Sequence, residues 1–472
     1  MINRIAPSCG ILRYASLLAC VSLCCAISLF ALSTPAQADV RNSDRITESS
    51  IEERGLTTAL CPNIEANYAI LVDANGKVYF ERDAHAPVKI ASITKVMTAL
   101  VAMDYDPSMK MTITVSEEAA AIGESSASLV EGDTMDMKNA LTAMMVASGN
   151  DAAESIATSV GKAMLKDEGH PGASDKKSVE RFVQAMNDKA AELGLEDSVF
   201  ANPHGLDDGE YAGDHHSTAA DVAAEVKVAM ENDTFRSIVG SEEATVKLKR
   251  DGETVKVDLT STDELLSAYE GTVGVKTGFT DEAGGCFAGA NDYEGGEYYA
   301  IVLDSPDEYQ RFLDTQDLWN WCYKYLQDYK LANSPETIEV QMGETTGTYP
   351  VIARVAHLDW IDKSVTATIS DPEATINVFA LEGNISQECE FYDVHGTIHA
   401  GDVIGRVVFK QRNNEVASTD LIAAENVDAP NPFEAIGIWW ERLWGNDAVA
   451  KSEVVNTTPL LIDKTQTVTQ GN

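Results

Sequence analysis

The hydrophobic period of this chain changes twice between residues 66 and 332, and that order fixes its fold class. Residues 68–72 and 77–81 are strand-like runs joined by Asp73-Ala74-Asn75-Gly76, a hairpin signal. A helical block follows. Ile93, Val96, Met97, Leu100 and Val101 recur at i, i+3, i+4, i+7 and i+8, which predicts a buried helix face. Residues 138–147, 152–164, 178–193 and 218–230 also predict helices. Strand-like runs return at 271–275, 286–290 and 297–303, and 312–326 predicts a helix. Strands, then helices, then strands again is the α+β order, one antiparallel sheet covered by helices.

The flanks read differently. Arg4 and Arg13 are the only charges before Asp39, residues 15–32 are apolar, and Ala36-Gln37-Ala38 has the small-x-small form of a cleavage site. Residues 1–38 are therefore expected to be a secretory signal peptide, with an uncleaved anchor as the alternative. Residues 39–65 are a polar lead segment without strong period. Asn333-Ser334-Pro335 marks a break, and 336–427 carries short alternating runs that predict a small all-β domain. After Ala429-Pro430-Asn431-Pro432 come an amphipathic segment, 432–445, and a polar tail, 446–472.

With 35 Lys+Arg against 75 Asp+Glu the formal net charge is −40, which excludes a nucleic-acid partner. Of eight cysteines, Cys9, Cys20, Cys24 and Cys25 fall in the leader. Cys61, Cys286, Cys322 and Cys389 are too scattered for a disulfide framework or a metal site.

Ser92-Ile93-Thr94-Lys95 sets a hydroxyl and an amine three residues apart, on one face of a helix. A serine needs a base within reach, and a lysine serves where burial lowers its affinity for protons. Alone the pattern is weak, since Ser174-Asp175-Lys176-Lys177 repeats it in a polar loop. Two further motifs make it specific. Ser148-Gly149-Asn150 ends a helical run, and Lys276-Thr277-Gly278 follows the strand-like run 271–275.

On these three motifs, in this order, the chain resembles the low-molecular-mass penicillin-binding proteins that act as serine-type D-alanyl-D-alanine carboxypeptidases. Residues 89–99, 146–152, 200–206, 216–221 and 274–286, with Arg311-Phe312, carry the resemblance, which spans roughly 66–326 and more faintly the β-domain. It implies a penicillin-binding/β-lactamase-like domain over 66–332, a five-stranded antiparallel sheet beside a helical cluster, followed by the all-β domain. It implies that Ser92 attacks the penultimate D-Ala carbonyl, Lys95 takes the proton and Ser148 relays it to the leaving amine. Asn150 is implied to bond the substrate backbone and Lys276 to supply positive charge beside Ser148. Thr277 and Arg311 are implied to hold the terminal carboxylate. The amides of Ser92 and Phe279, beside Gly278, are implied to form the oxyanion hole. The implied partners are a peptidoglycan stem peptide and β-lactams as covalent inhibitors.

Two alternatives stand beside this reading, a β-lactamase and a low-turnover penicillin-binding sensor or scaffold. No E-x-x-L-N segment lies between Asn150 and Lys276, which counts against the first. His204 invites a Ser-His-Asp reading, but Lys95 already fills the base role. His395 and His399 lie four apart among expected strands, a poor zinc pair. Phe433, Ile436, Trp440, Leu443 and Trp444 share a helix face, which points to peripheral contact with the outer face of the cytoplasmic membrane. The alternative is that these aromatics pack on the β-domain. Truncation at Pro430 is expected to release the enzyme without loss of stability.

Overall fold

In a computed structural model of the chain, residues 43–342, 345–445 and 450–462 are described; the leader and the end of the tail lie outside them. The first domain is built on a seven-stranded antiparallel sheet. Its strands are β1 (Asp44–Ile46), β2 (Ser49–Ser50), β3 (Tyr68–Asp73), β4 (Val78–Arg82), β9 (Thr272–Thr280), β10 (Gly284–Tyr293) and β11 (Gly296–Ser305). Their order is β2-β1-β4-β3-β11-β10-β9. The sheet exceeds the five strands implied by the resemblance because the polar lead segment pairs onto β4. Asp44 is drawn in by Arg82, whose Nε and Nη2 donate to its carboxylate at 2.6 and 2.9 Å in a buried bidentate pair.

Alternation along the strands buries both faces of this sheet. Ile70, Val72, Ile301 and Leu303 face one core, and Ala69, Leu71, Ala300 and Val302 face another. The first core holds the helical layer: α1 (Lys95–Tyr105), α2 (Glu117–Ala121), α3 (Met137–Val146), α4 (Asn150–Asp167), α5 (Asp175–Leu193), α6 (Ala219–Met230) and α7 (Asp233–Val239). On the other side lie α8 (Leu265–Ala268) and α9 (Gln310–Tyr325), with Phe312, Leu318 and Trp319 buried against Phe80 and Phe287. Beside the helices is a second sheet of β5 (Thr112–Thr114), β6 (Thr134–Asp136), β7 (Glu243–Arg250) and β8 (Glu253–Thr260). The charged β7–β8 hairpin leaves little periodic signal, and the sequence reading assigns nothing there.

Strand β9 runs through Lys276-Thr277-Gly278 rather than stopping before it. Pairing with β10, Lys276 opposite Ala288 and Gly278 opposite Cys286, sets its length, and polar side chains hid that continuation. Because β9 is the last strand, one backbone edge stays unpaired.

The second domain centres on a six-stranded sheet, β18-β19-β20-β16-β15-β21. These are β15 (Ala353–Ala356), β16 (Ser364–Thr368), β18 (Ile385–Phe391), β19 (Val403–Gln411), β20 (Asn414–Ala423) and β21 (Glu453–Val454). Two shorter ladders flank it, β12 (Leu326–Lys330) with β17 (Thr375–Phe379), and β13 (Thr337–Met342) with β14 (Thr345–Pro350). Thus β12 enters before the Asn333-Ser334-Pro335 break, and β21 comes from the tail.

The tail does more than add a strand. Asn456 is buried; its Oδ1 accepts from Asn333 N at 2.7 Å, and its Nδ2 donates to Leu331 O and Gln387 Oε1, both at 2.8 Å. Ile462 packs on the cluster in which Phe379 and Leu381 of the second domain meet the first. Between the sheet and this returning tail stands α10 (Pro432–Leu443), started by an Asn431/Glu434 capping box. None of its residues is buried, with Phe433 87% and Trp444 75% exposed, so its aromatics do not pack on the β-domain. Arg442 alone clips its end down, donating to Leu358 O at 2.8 Å. Among the described residues no helix is long and apolar enough to cross a membrane.

Candidate active site

The three motifs meet where the helical layer abuts the free edge of β9. Ser92 lies in a 3₁₀ turn, Ala91–Thr94, that runs directly into α1, so Lys95 is the first residue of that helix. Ala91 sits at φ 47° to make the entry. The turn is held from behind. Thr94 Oγ1 donates to Ala91 O at 2.8 Å and lies 2.8 Å from His215 Nε2. His215 Nδ1 accepts from Ala201 N, so Nε2 carries the proton and donates to Thr94. Burial, with Lys89 nearby, pushes this imidazole down to about 4, which keeps it in that neutral form.

Lys95 is fully buried, and its Nζ has three partners: Ser92 Oγ at 2.6 Å, Asn150 Oδ1 at 2.7 Å and His204 O at 3.0 Å. A neutral amine has two N–H donors and one lone pair. The two carbonyl oxygens take the donors, which leaves the lone pair for the Ser92 hydroxyl. Burial, reinforced by Lys276 and opposed by Asp151, holds the Lys95 ammonium well below its ordinary range.

Asn150 begins α4, and its Nδ2 donates to Gly123 O at 3.1 Å, so both ends of its amide have partners within the protein. Ser148, just before, lines the cleft at φ 57°, a left-handed conformation that costs energy for a serine and turns the chain sharply between α3 and α4.

Opposite them, Gly278 lets β9 come close. A Cβ there would stand 3.0 Å from Ser92 N and from Ile90 O. At Gly205 the approach is tighter, 1.9 Å from Ala91 O. Lys276 is buried, with Nζ donating to Thr277 O at 2.9 Å. Burial and Arg311 push it down to about 7 against the pull of Asp263. Thr277 Oγ1 is 2.6 Å from Thr262 Oγ1. Arg311 donates from Nη1 to Gly278 O at 2.9 Å, which fixes its guanidinium under the β9 edge. Phe279 is exposed at the rim. The cleft encloses about 330 Å³, bounded by Ser92, Ser148, Asn150, Thr277, Gly278 and Arg311 among others.

The competing residues do not enter this group. Ser174 caps α5 on the surface, accepting from Lys177 N. The His204 ring sits edge-on to Tyr211, and its Nδ1 accepts from Leu206 N; only its backbone oxygen reaches Lys95. His395 pairs with Asp359, and no cluster able to hold a metal occurs among the described residues. Cys286, Cys322 and Cys389 are free thiols, Cys286 buried and pushed up to about 12 by that burial. Sequence reasoning missed Thr94, His215 and Thr262. They carry no motif and matter only through what they support.

Comparison with known proteins shows the family. The profile of the D-alanyl-D-alanine carboxypeptidase family matches residues 56–307. The Bacillus subtilis D-alanyl-D-alanine carboxypeptidase DacF is 26% identical over 373 residues, 77% of this chain and 86% of that protein. DacC of Escherichia coli is 26% identical over 405 residues, 82% and 88% of the two chains. The crystal structure of a Streptomyces DD-transpeptidase superposes with a TM-score of 0.51 at 27% identity, covering 56% of this chain and 98% of that one. With the profile spanning more than half its length and the family's three motifs gathered in one cleft, this chain belongs to the D-alanyl-D-alanine carboxypeptidase family of serine peptidases.

Proposed function

We propose that the protein removes the terminal D-Ala from peptidoglycan stem peptides through an acyl-enzyme on Ser92. The observation that carries this is the contact between Ser92 Oγ and a buried Lys95 whose two donors are already committed. Peptidases of this family act on peptidoglycan peptides and bind β-lactams, so a penicillin is expected to acylate the same serine.

In the proposed sequence Lys95 takes the Ser92 proton as Oγ attacks the penultimate carbonyl carbon. The oxygen that becomes negative is held by the amides of Ser92 and Phe279. Ser148 passes a proton to the leaving amine, and D-Ala departs. Water then attacks the ester and regenerates Ser92. The substrate lies extended along the unpaired edge of β9. Its terminal carboxylate meets Thr277, Lys276 and Arg311, a site that suits an anion with two equivalent oxygens. Asn150 positions Lys95 and offers Nδ2 to the substrate in exchange for the Gly123 carbonyl.

Cell-wall peptidases act outside the cytoplasm. We place this one at the outer face of the cytoplasmic membrane, held by the exposed apolar face of α10. Release of free D-Ala from a peptide ending in D-Ala-D-Ala tests the reading. Hydrolysis of the wild type's peptide and none by Ser92→Ala supports it, whereas rapid penicillin hydrolysis without D-Ala release would favour a β-lactamase.

A further inference from the structure

We propose that Asp263 is the counter-ion of the cleft's two buried cations, a positioning residue that holds the Lys276 ammonium ready for the substrate carboxylate. Asp263 lies in the short connection from β8 to α8 and is buried. Its Oδ1 accepts from Leu265 N at 2.9 Å and so caps α8. Its Oδ2 is buried without a hydrogen-bond partner among the described residues. A cap needs one oxygen, and an asparagine provides it, so the negative charge has no task in the local turn.

The charge does have neighbours. Lys276 on β9 and Arg311 on α9 both act on Asp263, and Arg311 Nε is likewise buried and without a partner among the described residues. Glu264, adjacent in the chain, and Glu308, 3.5 Å from Arg311 Nη2, also act on Arg311. Asp263, in the connecting loop, is the acid that acts on Lys276. Burying an ammonium costs several kcal/mol, and Asp263 opposes that cost at Lys276.

The loop is held in register with two of the three motifs. Thr262 N donates to Val146 O at 3.2 Å, next to the Ser148 turn, and the Thr262 hydroxyl lies 2.6 Å from that of Thr277. Burial and Arg311 drive the Lys276 proton off, and Asp263 opposes them. Burial in turn raises the Asp263 carboxyl, opposed by the Leu265 amide and by Lys276. Neutralising Asp263 therefore makes Lys276 lose its proton at lower pH.

The inference rests on the proposed role of Lys276 as a cation. The test is the second-order rate of acylation by a penicillin, measured from neutral to alkaline pH for the wild type, Asp263→Asn and Asp263→Ser. Both variants keep a side-chain oxygen for the cap. The alkaline limb is expected to move toward lower pH by about one unit or more in each, with acylation on the acid side of the limb retained. An unmoved limb, or one moved upward, overturns the proposal, as does loss of folding in both variants, which would make the charge a requirement of the fold. A wild-type protein that no penicillin acylates overturns instead the reading of the whole site.

Discussion

At the residue scale the account turns on one amine. Burial and the repulsion of Lys276 hold the Lys95 ammonium well below its ordinary range, which favours the neutral amine. Lys95→Arg keeps a charge that cannot be shed, and the acylation rate is expected to fall roughly 10²–10⁴-fold. In the wild type the rate should fall as acid protonates Lys95, so the acidic limb of the profile belongs to this group. A Lys95→Arg protein acylated at the wild-type rate would refute the base assignment. The Ser92/Lys95 pair is legible in the sequence because i, i+3 spacing is a local property. Its contacts are not: Asn150 is marked by its motif but lies 55 positions away, His204 lies 109 away, and only the tertiary fold brings their oxygens to Nζ. Thr94 and His215 stay hidden for the same reason, since a hydroxyl behind a turn leaves no period.

Among the elements, helix α10 carries the clearest expectation. It has a capping box, a proline start and an apolar face left exposed among the described residues, and the sequence shows the proline and the apolar face. Phe433→Ser, Trp440→Ser and Trp444→Ser combined should move the protein from vesicles to solution. Its melting temperature and acylation rate should stay as they were, because none of the three is buried. A drop of several degrees would mean the face packs on protein after all. Elsewhere, hydrophobic period located α1, α3, α4, α5, α6 and α9 to within a few residues and missed the short α2, α7 and α8. It failed at β9, β7 and β8, where pairing partners and not side-chain pattern decide the strand. It failed also at residues 44–50, where one buried Asp44–Arg82 pair recruits a polar segment to the sheet edge.

For the whole molecule, the two ends of the described chain tie the domains together. Arg54 donates to Leu381 O, and Arg412 donates to Thr47 O at 3.1 Å. From the other end, β21 and Asn456 complete the β-domain, and Ile462 packs on the cluster where the two domains meet. Truncation at Pro430 is therefore expected to lower the melting temperature by several degrees, contrary to the expectation from sequence that it leaves stability unchanged. Asn456→Ala in the full chain, which leaves buried partners of Leu331 and Gln387 unmet, should cost about 1–3 kcal/mol. Scanning calorimetry decides both, and an unchanged melt for either would show the strap to be idle. Tail residues such as Asn456 are polar and aperiodic, so nothing in the sequence marks them as core.

Stability as a function of pH has its own signature in Glu225, buried in α6 with both carboxylate oxygens unpartnered among the described residues. Burial holds its proton on far above the ordinary value of 4.5. The folded state then binds a proton that the unfolded state releases, so this group's contribution is intact below about 4.5 and is lost as pH rises toward its folded value. Glu225→Gln should raise the melting temperature at neutral pH and make little difference in acid. The opposite order would show that the carboxyl is charged in the fold. All of this frames one claim, that Ser92 is the nucleophile of the whole assembly. Intact mass after incubation with a penicillin, followed by peptide mapping, tests it most directly. The account predicts one adduct per chain, on the peptide containing Ser92 and absent from Ser92→Ala; an adduct on Ser148 or Ser174, or none at all, would contradict it.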